Sequence, residues 1–90
     1  MPTVHLLIKG KVQGVFYRAS AKEMAEALHL TGWVKNTSTG DVEAMATGPS
    51  DAVLKFIEWS KLGPPHAVVA HVEIIHYEEI EFTSFKIRKD

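Results

Sequence analysis

Arg18 follows a short loop that carries two glycines, Gly10-Lys11-Val12-Gln13-Gly14-Val15-Phe16-Tyr17, and this order of residue types is suited to holding an oxyanion. A guanidinium presents a planar fork of donors that matches two phosphate oxygens at once. Gly10 and Gly14 permit backbone angles that other residues resist, so successive amides between Gln13 and Arg18 are able to converge on one point. A helix opening here adds N–H groups without intrahelical partners and a dipole that favours negative charge. The same pieces have a plainer reading. A Gly-x-x-x-Gly turn is often a mere connection, and an arginine at a helix start is often only a solvated charge.

The elements that must position this loop are legible on either side of it. Val4, Leu6 and Ile8 alternate with His5, Leu7 and Lys9, the pattern of a strand with a buried face. Tyr17, Ala21, Met24, Ala25 and Leu28 recur at helical spacing and form an apolar stripe. Thr31-Gly32 is expected to end that helix, and Trp33 to Asn36 to form a second strand. Thr37-Ser38-Thr39-Gly40 turns the chain into a third strand, Asp41 to Thr47, with Val42, Ala44 and Ala46 on one face. Gly48-Pro49-Ser50-Asp51 signals a second helix capped by Gly48 or Ser50, packed through Val53, Phe56, Ile57 and Ser60 and stopped at Gly63-Pro64-Pro65. Val68, Ala70, Val72 and Ile74 set a period of two for a fourth strand, and Phe82, Phe85 and Ile87 suggest a short terminal one. The order predicts an α+β, ferredoxin-like βαββαβ sandwich: a mainly antiparallel sheet, two helices on one face and a short extra strand at the end.

Composition narrows the chemistry. Ninety residues are expected to form a single domain, 1–90, that folds without staples. With no cysteine, disulfides, thiolate nucleophiles and zinc–cysteine sites are excluded. Ten basic and eleven acidic side chains give a formal charge of −1, which offers no global attraction for nucleic acid or anionic lipid. The first residues lack the features of a signal peptide and no apolar run reaches the length of a membrane span, so a cytoplasmic protein without membrane or nucleic-acid partners is expected. His66, His71 and His76 lie five apart on an extended segment of about 33 Å and cannot converge on a metal. His5 and His29 lack an acidic partner at ligand spacing. Glu78-Glu79-Ile80-Glu81 reads as a solvated turn, and Trp33 and Trp59 as core or rim aromatics.

Val12-Gln13-Gly14-Val15-Phe16-Tyr17-Arg18, followed by Gly32-Trp33-Val34-Lys35-Asn36 and Gly40-Asp41-Val42-Glu43-Ala44, resembles the acylphosphatase family, with Gly63-Pro64-Pro65 and Ala67 before Val69 continuing the match. The resemblance implies hydrolysis of the carboxyl–phosphate bond of acyl phosphates, giving a carboxylate and inorganic phosphate, with no cofactor and no metal. It makes Arg18 the catalytic, phosphate-binding arginine and Asn36 the residue that places the attacking water. The amides of Gln13, Gly14, Val15, Phe16, Tyr17 and Arg18 become the phosphate cradle. The commonest family form has phenylalanine where this chain has Tyr17, which touches packing and rate.

That chemistry agrees with what the sequence lacks. A carboxylate leaves without a general acid, and attack on phosphorus depends on placement and charge stabilisation. A carboxamide both donates to and accepts from water. The implied partners are a small acyl phosphate and inorganic phosphate, as product and competitive inhibitor, acting on a monomer. Asn36 also has a plainer reading as a turn former, Gln13 as a brace for the loop, and Lys9, Lys11 and Lys35 as solvated charges that at most draw an anion inward. A sensor that binds phosphate without turnover and an RNA-binding sheet are the other classes. The second lacks both the charge and the aromatic strand signature.

Overall fold

The computed structural model describes residues 1–89. Its elements are β1 (Thr3–Lys11), α1 (Tyr17–Ala27), β2 (Thr31–Asn36), β3 (Val42–Thr47), α2 (Ser50–Ser60), β4 (Val68–Tyr77) and β5 (Phe85–Arg88). One sheet runs in the order β4-β1-β3-β2-β5. All its pairings are antiparallel except that of β2 with β5, where Val34 lies opposite Ile87. The expected ferredoxin-like sandwich is therefore the observed fold, with both helices on one face of the sheet.

The core follows from the alternation in the strands. Val4, Leu6 and Ile8 of β1, Val34 of β2 and Val42, Ala44 and Ala46 of β3 point to the helical side. They meet Tyr17, Ala21 and Ala25 of α1 and Ala52, Val53, Phe56 and Ile57 of α2. Phe56 is the largest fully buried side chain and packs edge-on against Phe85, with ring centroids 5.9 Å apart. Burial of one such ring contributes about 1.5–3 kcal/mol. Phe85 thereby fastens the terminal strand beside β2, which decides what lies next to Asn36.

Several boundaries differ from the sequence reading, each for a physical reason. Helix α1 ends before Thr31-Gly32, which already belongs to β2. Its stop is a Schellman arrangement: Leu30 N–H donates to Ala25 C=O at 2.8 Å and His29 N–H to Glu26 C=O at 3.1 Å. His29 takes the left-handed seat at φ 59° that glycine usually fills, so no glycine announced it. At the start of α2 the cap is Pro49, with no side-chain cap bond, rather than Gly48 or Ser50. Asp41 precedes β3, and Phe82 precedes β5.

In β4 the alternation changes phase. Lys9 pairs with His71 but Gly10 pairs with Val69, so Ala70 is the extra residue of a bulge. Val69, Val72 and Ile74 therefore pack against the core, whereas Val68 and Ala70 are exposed. Gly10 makes the bulge possible. Its φ is 132°, and a Cβ there would stand 2.2 Å from the Val68 carbonyl oxygen.

The remaining sequence candidates are structural or peripheral. Trp59 stacks on Phe56 at 6.0 Å and meets Tyr17 at 5.2 Å, while Trp33 carries the Arg88 guanidinium 4.7 Å above its ring. His5 does find a carboxylate, Glu43 of the neighbouring strand, at 2.6 Å. No group of three histidine, aspartate or glutamate side chains among the described residues could hold a metal ion. Within the exposed acidic run, Ile80 is tied to the sheet by its N–H to Thr3 Oγ1 and its C=O from Thr47 Oγ1, both 2.9 Å.

Candidate active site

Between β1 and α1 the backbone alternates in hand. Gly14 has φ 74° and Phe16 has φ 65°, with Val15 between them and helical Tyr17 after them. Such left–right alternation turns successive N–H groups toward one side and forms an anion-binding concavity. The first bond of α1 runs from Ser20 N–H to Phe16 C=O at 3.1 Å. Among the described residues the amides of Gly14, Val15 and Phe16 donate to nothing, and those of Tyr17, Arg18 and Ala19 precede that first bond. A run of donors without acceptors among the described residues thus lies at the positive end of a helix.

Arg18 is the second residue of α1, half-buried, and makes no hydrogen bond or ion pair with another described residue. Tyr17 turns its hydroxyl away from this loop. Its ring is in the core, its hydroxyl donates to the Ser60 carbonyl at 2.7 Å, and burial pushes its phenol above the ordinary value. The tyrosine is thus accommodated by the C-terminal turn of α2, which offers a carbonyl that the helix itself does not use.

Asn36 is the last residue of β2, opposite Val42. The turn that follows is closed by Thr37, whose Oγ1 accepts from Asp41 N–H at 3.1 Å and Thr39 N–H at 3.3 Å. Asn36 has no part in that turn. Its side-chain oxygen is shielded from solvent and has no hydrogen-bond partner among the described residues. Gln13 joins this hairpin to the loop: its carboxamide nitrogen donates to Thr37 C=O at 2.9 Å and to Asp41 C=O at 2.8 Å. The brace read for Gln13 is therefore present in its side chain.

These parts surround one cavity of about 340 Å³ lined by Val12, Gly14, Phe16, Tyr17, Arg18, Ala19, Asn36, Ile87 and Lys89. Among the described residues the lining holds two cations and no carboxylate. Arg18 and Asn36, far apart in sequence, come together here. Lys9, Lys11 and Lys35 do not line it; Lys9 faces Glu73 at 3.9 Å and Lys35 faces Glu43 at 3.8 Å. Apart from Ala19, the neighbour of Arg18, the residues that sequence reasoning did not place here are Ile87 and Lys89. The signal for them was the terminal apolar pair Phe85 and Ile87, but only the parallel pairing of β5 with β2 brings that end beside Asn36.

Comparison with known proteins gives a consistent result. The acylphosphatase family model matches residues 4–87. An acylphosphatase of Pyrobaculum arsenaticum is 53% identical over 90 residues, covering 97% of this chain and 94% of the relative. The crystal structure of acylphosphatase from Bacillus subtilis superposes with a TM-score of 0.95 at 34% identity, over 98% of this chain and 99% of that one. An acylphosphatase structure from Coxiella burnetii gives a TM-score of 0.92 at 44% identity, over 96% and 90%.

Proposed function

The chain belongs to the acylphosphatase family, and from that premise we propose that it hydrolyses the carboxyl–phosphate bond of acyl phosphates through the loop, Arg18 and Asn36. The observation that carries this reading is the run of amides from Gly14 to Ala19 without acceptors among the described residues, all of whose residues but Val15 line one cationic cavity with Asn36. Amides and guanidinium hold the three peripheral phosphoryl oxygens, where charge gathers as the bond to the leaving group breaks. Asn36 borders the same space, and its shielded side-chain oxygen bonds to nothing among the described residues. Rotation of its terminal torsion exchanges oxygen and nitrogen, so it offers the attacking water an acceptor or a donor.

In the step itself the water oxygen bonds to phosphorus and the bond from phosphorus to the acyl oxygen breaks. The electron pair leaves on the carboxylate, and the water proton passes to a phosphoryl oxygen. An acyl phosphate dianion and water thus give a carboxylate and dihydrogen phosphate. The leaving group is too weakly basic to need a general acid, and among the described residues the cavity lining supplies no carboxylate or histidine to act as one. Benzoyl phosphate turnover, in chelator, with inorganic phosphate as competitor and Arg18→Ala alongside, tests the reading. Turnover that phosphate inhibits and the variant loses is expected. Absence of turnover in a folded, phosphate-binding protein would make the loop a sensor.

A further inference from the structure

Phe16 stands where three separate preferences disfavour it. Its backbone is left-handed at φ 65° and ψ 24°, a conformation suited to glycine or asparagine. It is the N-cap of α1, a position favouring serine, threonine, aspartate or asparagine, and it makes no side-chain cap bond. Its ring is 78% exposed and so gains little from burial. Backbone geometry, helix capping and core packing therefore all fail to account for a phenyl group here. Phe16 lines the cavity that holds Arg18 and Asn36, together with Ile87 of β5.

We propose that Phe16 and Ile87 form the wall against which the acyl group packs, so that the site favours acyl phosphates with an aromatic or extended apolar acyl group over short ones. This rests on the acyl phosphate hydrolysis given above. The amide of Phe16 serves the phosphate end and its side chain the other end of the same molecule, which couples position to selectivity. A phosphate seated on the loop leaves its acyl group with few places to go. Among the described residues, the lining side chains apart from those of Arg18, Asn36 and the exposed Lys89 are aliphatic or aromatic. An apolar group meeting an exposed ring removes water from both surfaces.

The test compares benzoyl phosphate with acetyl phosphate in the wild type, Phe16→Asn and Phe16→Trp, reading the ratio of kcat/KM for the two substrates together with the inhibition constant of phosphate. Asparagine keeps the left-handed backbone and removes the ring; tryptophan keeps an aromatic surface. The ratio is expected to fall about tenfold in Phe16→Asn, the scale of a lost apolar contact in a pocket, and to recover in Phe16→Trp. An unchanged ratio in Phe16→Asn, with wild-type turnover of both substrates intact, overturns the acyl wall and leaves the hydrolase standing. Equal loss on both substrates with weakened phosphate inhibition also overturns it, because the ring would then only shape the loop. Failure of the wild type to hydrolyse either substrate removes the hydrolase and the acyl wall together.

Discussion

Replacing Asn36 with alanine separates catalysis from stability. The Asn36 side-chain oxygen is shielded and unpartnered among the described residues, and a buried acceptor in that condition costs about 1–3 kcal/mol. Alanine removes that cost and gives up the packing of a half-buried side chain, about 1–2 kcal/mol. The two nearly cancel. Each ~1 kcal/mol shifts Tm by about 4–8 °C in a domain of this size, so Tm is expected to stay within about 8 °C of wild type or to rise. Turnover behaves differently. A group that organises the transition state is worth about 10²–10³ in kcat, or 2.7–4 kcal/mol. Calorimetry and benzoyl phosphate kinetics on the same preparation, with phosphate inhibition measured alongside, decide the matter. Retained stability and phosphate affinity with a large fall in kcat fit the role given to Asn36. A drop in Tm well beyond 8 °C would mark it as a structural strut, and a parallel loss of phosphate affinity would move it into the cradle.

Three further outcomes are expected. Arg18→Lys keeps the charge and loses the bidentate fork, so kcat should fall and the phosphate inhibition constant should rise; unchanged kinetics would remove Arg18 from the reaction. Tyr17→Phe leaves the Ser60 carbonyl without its 2.7 Å donor and should cost about 1–3 kcal/mol by chemical denaturation at neutral pH. Because burial raises the Tyr17 phenol above 10.0, the folded state keeps its proton longer than the unfolded chain. That contribution is complete below pH 10 and is lost as pH rises toward the folded value, so the phenylalanine variant should lose less stability in strong alkali than wild type. Gln13→Ala cuts both ties between the loop and the hairpin and should weaken phosphate inhibition along with turnover, a result visible in inhibition kinetics.

Sheet, helices and most of the core were legible because their patterns are local. The apolar positions of β1 and β3 and the stripe of α1 each follow a single period, and periodicity survives without tertiary information. The errors fall where a single residue took an unusual role. His29 ended α1 in a seat for which glycine is the usual sign, and Ala70 shifted the phase of β4 through a bulge that only its pairing with β1 creates. Within the candidate site, the position of Arg18 after a glycine-bearing loop could be read from type and spacing. The unbonded oxygen of Asn36 could not, because it depends on Thr37 rather than Asn36 closing the turn. Ile87 and Lys89 enter the cavity through a parallel pairing across more than half the chain, and the sequence order of strands does not disclose that neighbour.

Hydrolysis of benzoyl phosphate in ¹⁸O-labelled water, followed by mass analysis of both products, tests most directly whether water is delivered to phosphorus. Attack by the water that Asn36 places predicts the label in inorganic phosphate and unlabelled benzoate, in a reaction that Arg18→Ala abolishes. Label in benzoate would show attack at the acyl carbon and contradict the site as described.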